Sequence, residues 1–163
     1  KEEEFARAVS LALFDYLRKS RARGWVVSLS DGADSAAVST LCALAIRLAV
    51  AQLGLAGTKQ NLAHISAIAN AKSAEEIIGR MLTCVYQATR NSGDVTRNAA
   101  RDVAGALGAE FMVFDVDAVV QQYIGIIEGA LGRKLTWEAD DIALQNIQAR
   151  VRSPGICPLR DEG

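Results

Sequence analysis

The sequence predicts an α/β fold in which a doubly wound parallel sheet is flanked by helices. Short apolar segments rich in β-branched and aromatic residues alternate with longer segments of helical periodicity, and glycines stand where several of these helices would end. Strands that alternate with helices are typical of a parallel sheet. We therefore interpret residues 1–163 as a single domain.

The first half of the chain predicts a helix, a buried strand and a long apolar helix. Residues 2–19 carry apolar side chains at helical spacing, and residues 25–29 (WVVSL) form a short run of β-forming residues. Residues 30–35 are small and polar, which predicts a tight loop. Residues 36–53 predict a long helix that the sequence GLAGT, at residues 54–58, would end.

The second half predicts further helices and strands in alternation. Residues 59–72 match no period clearly and are predicted to be a surface excursion. Ser73 and Glu76 form a capping box for a helix at residues 74–79. The remaining predicted helices are residues 96–107, 117–131 and 136–151, the predicted strands are residues 82–87 and 110–116, and residues 88–94 are a predicted loop. Gly108 and Gly132 are C-cap signals.

Composition argues against nucleic acid and membrane partners. The net charge is −1, whereas proteins that bind duplexes carry clustered basic residues. Residues 36–55 are apolar, but Arg47 and Gln52 interrupt them, so a buried helix is the better interpretation than a membrane span. The cysteines Cys42, Cys84 and Cys157 are too widely spaced for a disulfide framework, which predicts reduced thiols and a cytoplasmic location.

The polar loop after the first predicted strand has the properties of a phosphate and metal site. Backbone N–H groups at a helix start have no intrahelical partners and favour an anion. Gly32 would let the backbone approach a ligand closely, and Asp34 could hold Mg²⁺. The loop is neither a Walker A sequence nor a dinucleotide fingerprint. The candidate residues are Ser28, Leu29, Ser30, Asp31, Gly32, Ala33, Asp34 and Ser35.

Each candidate outside or inside this loop also has a structural interpretation. Taken alone, Asp34 could be a helix-start acid, and Asn146 could be a polar surface residue. Arg150 and Arg152 could form a solvated helix end. Ser92 and Thr96 could be helix caps or phosphate contacts. His64 is interpreted as structural, and Trp25 and Trp137 as packing residues.

The loop resembles S-G-G-x-D-S, the pyrophosphate-binding loop of the N-type ATP pyrophosphatases. Residues 85–111 (VYQATRNSGDVTRNAARDVAGALGAEF) and 136–156 (TWEADDIALQNIQARVRSPGI) resemble the synthetase domain of glutamine-dependent NAD synthetases. The lead-in before the loop resembles that domain as well. The resemblance implies the adenine nucleotide α-hydrolase-like fold.

The resemblance also implies a function: ATP-dependent amidation of deamido-NAD to NAD through an acyl-adenylate. It implies that residues 30–35 bind the β and γ phosphates of ATP and that Asp34 binds Mg²⁺. It places Asn146 and Arg150 at deamido-NAD; they lie four residues apart and would share a helix face. It further implies a homodimer, and ammonia that comes from glutamine through a glutaminase domain.

The sequence departs from the family in three ways, and two of them, Asp31 and the missing continuation after Ile156, favour an alternative function. Asp31 stands where the family has the first loop glycine, the glutaminase domain is absent from these residues, and CPLRDEG follows Ile156 in place of the family's continuation. The chain is therefore interpreted as a truncated synthetase core. The alternative is a catalytically impaired fragment that binds nucleotide weakly or serves only in assembly.

We predict that Asp31→Gly tightens the binding of ATP by tenfold or more. A carboxylate about 4 Å from a phosphate repels it by roughly 1 kcal/mol in water and about 4 kcal/mol at an effective dielectric of 20, and about 1.4 kcal/mol is a factor of ten. Calorimetric titration of both forms with ATP and Mg²⁺ measures the difference. Equal affinities would contradict the prediction and mean that the Asp31 carboxylate does not face the phosphates.

Overall fold

The computed structural model describes residues 1–30 and 32–153. Its helices within these residues are α1 (Glu2–Ser20), α2 (Ala33–Asn61), α3 (Ala74–Met81), α4 (Asp94–Leu107), α5 (Asp117–Leu131) and α6 (Asp141–Val151). The strands are β1 (Trp25–Ser28), β2 (Leu82–Ala88) and β3 (Glu110–Asp115). A short 3₁₀ helix spans Ser66–Ile68.

The three strands form one parallel sheet in the order β1-β2-β3, as the sequence predicts. Trp25 pairs with Leu82, and Thr83 pairs with Glu110. The backbone N–H of Leu29 donates to Val85 O at 2.9 Å, so the pairing continues beyond the end of β1. All three strands therefore end at the same edge of the sheet, where the loops after β1 and β2 lie next to each other.

Helices cover both faces of the sheet, which confirms the predicted double winding. Cys84 and Tyr86 of β2 belong to the main hydrophobic core, and α2 and α4 both contact this strand. Val85 points to the other face and is fully buried. Buried residues of α5 and α6 likewise lie outside the main core: Val120, Leu144 and Ile147.

Helix α2 is the central helix of the fold, and it is longer than predicted. The predicted break occurs as a kink at Gly54 (φ 71°, ψ 169°), after which the helix resumes and runs to Asn61. The hydroxyl of Thr58, which is fully buried, donates to Gly54 O at 2.9 Å and stabilises the turn after the kink. By length and hydropathy alone α2 could cross a membrane. Core helices meet the same criterion, and α2 contacts α1, α3, α4, β1 and β2, as expected of a buried helix.

The prediction of a surface excursion at residues 59–72 is wrong. Apolar residues spaced three apart in this segment are buried: Leu62, Ile65, Ile68 and Ala71. Each of the last three donates its backbone N–H to the carbonyl of the one before it, at 2.9 to 3.3 Å. Such successive tight turns place every third side chain on one face, a period that differs from those of an α-helix and a strand. The segment therefore belongs to the core.

Helix α6 begins at Asp141, five residues after the predicted start at Thr136. Residues 136–140 form a turn in which Asp140 N donates to Thr136 O at 2.8 Å. The carboxylate of Asp140 accepts from two guanidinium nitrogens of Arg133, each at 2.8 Å, and from Thr136 N at 3.1 Å. These bonds hold Asp140 in a non-helical conformation before the first turn.

Other predicted helix ends agree more closely with the structure. Gly108 and Gly132 both end their helices in the left-handed conformation, with φ of 77° and 67°. Ser73 Oγ accepts from Glu76 N at 3.2 Å, as in a capping box. The Glu76 carboxylate, however, accepts from Lys72 N rather than from Ser73 N. Helix α3 extends to Met81, two residues beyond its predicted end.

We predict that Asp140→Asn reduces the loss of stability at low pH. Hydrogen bonds from the Arg133 side chain, and then from Thr136 N, lower the pKa of Asp140 from 3.8 to about 2. A lowered folded-state pKa stabilises the fold above about pH 4, and this stabilisation is lost as the pH falls towards about 2. Urea unfolding at several pH values in this range should show that the free energy of unfolding depends less on pH in the variant.

Asp141→Asn is the matched control, because Asp141 is the exposed neighbour of Asp140 and makes no ion pair within the described residues. It should follow the unaltered chain at every pH. If Asp140→Asn also follows the unaltered chain, the ion pair with Arg133 does not stabilise the start of α6.

Candidate functional site at the carboxyl edge of the sheet

A polar cavity of about 220 Å³ lies where β1 and β2 end. Three parts of the chain line it: the end of β1 with its loop, the end of β2 with the start of α4, and the end of α6. The lining residues are Ser28, Leu29, Ser30, Tyr86, Gln87, Asn91, Ser92, Gly93, Thr96 and Arg152. This is the edge at which ligands bind in parallel α/β sheets.

The serines of the loop bond to each other in the structure. Ser35 Oγ donates to Gly32 O at 3.0 Å and accepts from Ser30 N at 3.1 Å. Ser30 Oγ accepts from Gly32 N at 3.0 Å and lies 3.0 Å from Ser35 Oγ. Since the Ser35 proton goes to Gly32 O, the Ser30 hydroxyl donates to Ser35. Both hydroxyls therefore brace the loop.

The donors that the loop offers to a ligand are backbone N–H groups. Ala36 N is the first intrahelical donor of α2, and it bonds to Gly32 O. The N–H groups of Ala33, Asp34 and Ser35 precede it and have no intrahelical acceptor. A Cβ at Gly32 would lie 3.1 Å from Ser30 Oγ, so glycine permits the close approach of that hydroxyl. The arrangement suits an anion, as predicted from the sequence.

Asp34 lies exposed in the first turn of α2 and makes no ion pair in the described part of the chain. Among residues 1–30 and 32–153, no group of three or more His, Cys, Asp or Glu side chains could hold a metal ion. Asp34 would thus be one carboxylate in a Mg²⁺ shell completed by water and phosphate oxygens. Asp31 lies outside the described residues.

The loop between β2 and α4 forms the second wall. Gly93 precedes α4 and no side chain caps the helix, so the interpretation of Ser92 and Thr96 as caps is wrong. Ser92 Oγ accepts from Thr89 N at 2.9 Å and closes the loop. Thr96 Oγ1 donates to Gly93 O at 2.9 Å and accepts from Tyr86 OH at 2.6 Å. Both side chains instead fix the shape of the wall.

Gln87 connects the walls of the cavity. It is 5% exposed and sits at the end of β2. Its Oε1 accepts from Ser28 Oγ at 2.9 Å, and its Nε2 donates to Arg152 O at 2.6 Å. One buried amide therefore joins β1, β2 and the end of α6.

Asn146 and Arg150 do not line this cavity. Both are exposed on α6, where they share a face as predicted, while Leu144 and Ile147 of the same helix are buried. The side chain of Asn146 donates to Ile142 O of its own helix at 2.9 Å. A ligand that contacts both would therefore lie on the outer face of α6.

The sequence interpretation assigns three polar residues that line the cavity to no site: Tyr86, Gln87 and Arg152. A polar residue at the carboxyl end of a buried strand is the signal that could have identified Gln87. For Arg152 the sequence predicts only a solvated helix end. Its Nε is buried and has no hydrogen-bond acceptor among the described residues.

A second cavity of about 220 Å³ adjoins the first and shares Asn91 with it. Arg90 donates through its backbone and side chain to the Asp117 carboxylate at 2.8 to 3.1 Å, so the loop after β2 is tied to the start of α5. The Arg90 side chain is the main reason that the pKa of Asp117 is lowered. Trp137 also lines this cavity and is half exposed.

Cys42 and Cys84 are buried free thiols, and His64 makes a structural contact, as predicted for it. Burial raises the pKa of Cys42 to about 12 and that of Cys84 to about 11, so both thiols stay protonated at neutral pH. His64 Nε2 lies 3.1 Å from Ala22 O. Cys157 lies outside the described residues.

We predict that Gln87→Ala lowers the free energy of unfolding by about 1–3 kcal/mol, because it leaves buried polar groups of two other elements without partners. Urea unfolding measures the change. Gln60→Ala, at an exposed position near the end of α2, is the matched control and should change stability by less than about 0.5 kcal/mol. Equal effects would show that the Gln87 bonds contribute nothing to stability.

Comparison with known proteins relates this arrangement to one family. The family model described as NAD synthase matches residues 5–156. Glutamine-dependent NAD(+) synthetases from Oryza sativa and Homo sapiens are 33% and 32% identical over 93% of this chain. The chain spans only 22% and 23% of their lengths.

Solved structures agree with this relationship. A glutamine-dependent NAD(+) synthetase from Cytophaga hutchinsonii is 43% identical and superposes with a TM-score of 0.90, covering 98% of this chain and 29% of its own. An NH3-dependent NAD synthetase from Campylobacter jejuni shares the fold at 18% identity, with a TM-score of 0.63 over 96% of this chain and half of its own. The fold is thus the predicted adenine nucleotide α-hydrolase-like fold, and the chain belongs to the NAD synthase family.

Proposed function

We propose that the protein converts deamido-NAD to NAD by ATP-dependent amidation, with an acyl-adenylate as intermediate. The observation that carries this proposal is the polar cavity at the carboxyl edge of the sheet, which Ser30 lines at the start of the loop that leads into α2, in a chain of the NAD synthase family. A relative from Acinetobacter baumannii, 18% identical, was solved in complex with ADP. That complex is consistent with an adenine nucleotide as one substrate.

In the first half-reaction, the nicotinate carboxylate of deamido-NAD attacks the α phosphorus of ATP. The bond from that phosphorus to the bridging oxygen breaks, and pyrophosphate leaves. The N–H groups of Ala33, Asp34 and Ser35 would hold the β and γ phosphates and stabilise the charge that develops on them. Mg²⁺, when bound at Asp34, would neutralise part of the same charge.

In the second half-reaction, ammonia attacks the acyl carbon, AMP departs, and the nitrogen loses a proton. This step needs an oriented adenylate and an uncharged nucleophile more than a dedicated acid or base. Hydroxyls and amides fill the cavity wall that borders the loop, and they can orient phosphate and ribose oxygens without competing for the proton. In the whole protein we propose that ammonia comes from glutamine through a glutaminase domain.

Assembly and location are further parts of the proposal. We propose that the domain forms a homodimer and that the protein acts in the cytoplasm. The exposed apolar side chains Val119, Tyr123 and Ile126 follow one another at helical spacing on α5 and would suit a face covered by a partner.

A second candidate function is a catalytically impaired module that binds nucleotide weakly or serves only in assembly. Asp31 in the phosphate loop favours it, since a carboxylate there repels the anion that the loop would bind. The two candidates differ in chemistry that can be measured directly.

The experiment supplies deamido-NAD, ATP, Mg²⁺ and ammonium chloride and measures every product. The proposed function requires NAD, AMP and pyrophosphate in equal amounts. Formation of ADP and phosphate would contradict the adenylate route. ATP binding without any product, in both the unaltered protein and Asp31→Gly, would support the second candidate.

We predict that Asn146→Ala and Arg150→Ala raise the KM for deamido-NAD about 10- to 150-fold and change the KM for ATP much less. A lost charged or polar contact costs roughly 1.5–3 kcal/mol, and both side chains lie outside the cavity assigned to ATP. Steady-state kinetics with each substrate varied in turn measures the two constants. Unchanged KM values for deamido-NAD in both variants would refute the assignment.

Gln145→Ala is a matched control for these variants. Gln145 is exposed on the same helix and precedes Asn146 directly, but it points to a different side of the helix. It should retain the KM values of the unaltered protein. A similar rise in this control would indicate a change in the whole helix rather than the loss of a contact.

A further inference from the structure

Arg152 is the only charged side chain among the residues described as lining the cavity. It follows the last residue of α6 and is partly buried. Its Nε is inaccessible to solvent and has no acceptor within the described residues. A guanidinium keeps its charge and its donors at every ordinary pH, so Arg152 brings a permanent positive charge to the cavity wall.

The backbone of Arg152, by contrast, is firmly held. Its carbonyl accepts a 2.6 Å hydrogen bond from the buried Gln87, and Gln87 accepts in turn from Ser28. The position of the residue is therefore fixed from β1 and β2, while its side chain lies at the cavity without an ion pair in the described part of the chain. This is the arrangement expected of a preorganised binding residue.

The surroundings select an anion with several oxygens. Within residues 1–30 and 32–153, no Asp or Glu lines the cavity, so no described carboxylate of the wall neutralises Arg152. Ser30, which lines the cavity, belongs to the loop that leads into α2, and the N–H groups in the first turn of α2 have no intrahelical acceptor and favour negative charge. A ligand that satisfies both must present oxygen atoms to two elements at once, as a chain of phosphates does.

We propose that Arg152 binds the phosphate chain of the nucleotide from α6, while the N–H groups of Ala33, Asp34 and Ser35 bind it from α2. This inference rests on the proposed function for the identity of the nucleotide. It also assigns different tasks to two arginines that are two residues apart. Arg152 binds ATP in the cavity, and Arg150, which is exposed on the outer face of α6, binds deamido-NAD.

The test is calorimetric titration of the full chain with Mg²⁺-ATP, inorganic pyrophosphate and adenosine. Arg152→Gln should weaken the binding of ATP and of pyrophosphate tenfold or more, and it should leave the affinity for adenosine within about twofold of the unaltered chain. Arg152→Lys, which keeps the charge but not the fork of donors, should lose less. Arg21→Gln removes one exposed charge before β1, at the other edge of the sheet, and should bind all three ligands as the unaltered chain does.

Each outcome decides between the inference and its alternatives. Equal losses for adenosine and pyrophosphate in Arg152→Gln would mean that the residue only supports the fold, which urea unfolding of the same variants checks. If Arg152→Gln loses no more affinity for ATP and pyrophosphate than Arg21→Gln does, Arg152 does not contact the phosphates, and the proposed function is unaffected.

Two further outcomes separate the inference from the proposed function. Binding of pyrophosphate that depends on Arg152, in a protein that forms no NAD, would uphold the inference and contradict the function. No binding of ATP or pyrophosphate, in either the unaltered chain or the Asp31→Gly background, would overturn both.

Discussion

The site depends on one buried amide. Gln87 is the second-last residue of the middle strand, and its two hydrogen bonds reach the neighbouring strand and the residue that follows the last described helix. The middle strand is buried on both faces, so the amide cannot exchange these partners for water. The cavity exists because three elements that are distant in sequence are held together at this point. Phosphate binding, if it occurs as proposed, uses walls whose spacing is fixed before any ligand arrives.

Much of the fold could be predicted because the local signals agree with the tertiary structure. The run WVVSL, the capping box at Ser73 and the glycines at 108 and 132 each specify one local conformation, and burial strengthens what they specify. The prediction for residues 59–72 is wrong because the buried side chains of this segment recur every third residue. Neither the helical nor the strand pattern detects that period. The predicted start of α6 is wrong because an ion pair with Arg133, seven residues earlier, holds Asp140 outside the helix, and the helical period does not detect such a pair.

The candidate site was only partly predictable for a related reason. In a loop that is contiguous in sequence, such as residues 28–35, all the candidate binding residues are consecutive and can be recognised as one motif. Arg152 and Gln87 meet across 65 positions of sequence, and nothing local distinguishes an arginine in a cavity wall from one at a solvated helix end. Asn146 and Arg150 could be placed on one face of a helix, but not relative to the cavity, because that requires the position of the helix on the sheet.

The hydroxyl network of the phosphate loop has a consequence for how the loop could discriminate among anions. The Ser30 hydroxyl already donates its proton to Ser35 Oγ, and the Ser35 hydroxyl donates its proton to Gly32 O. A ligand oxygen could gain a hydroxyl proton only by breaking an internal bond of similar strength, so the net gain from either serine would be small. The backbone N–H groups exchange only water for the ligand. Selectivity at this loop would therefore come from the spacing of the rigid backbone amides. That spacing selects an anion by its size and geometry more than by its capacity to accept hydrogen bonds.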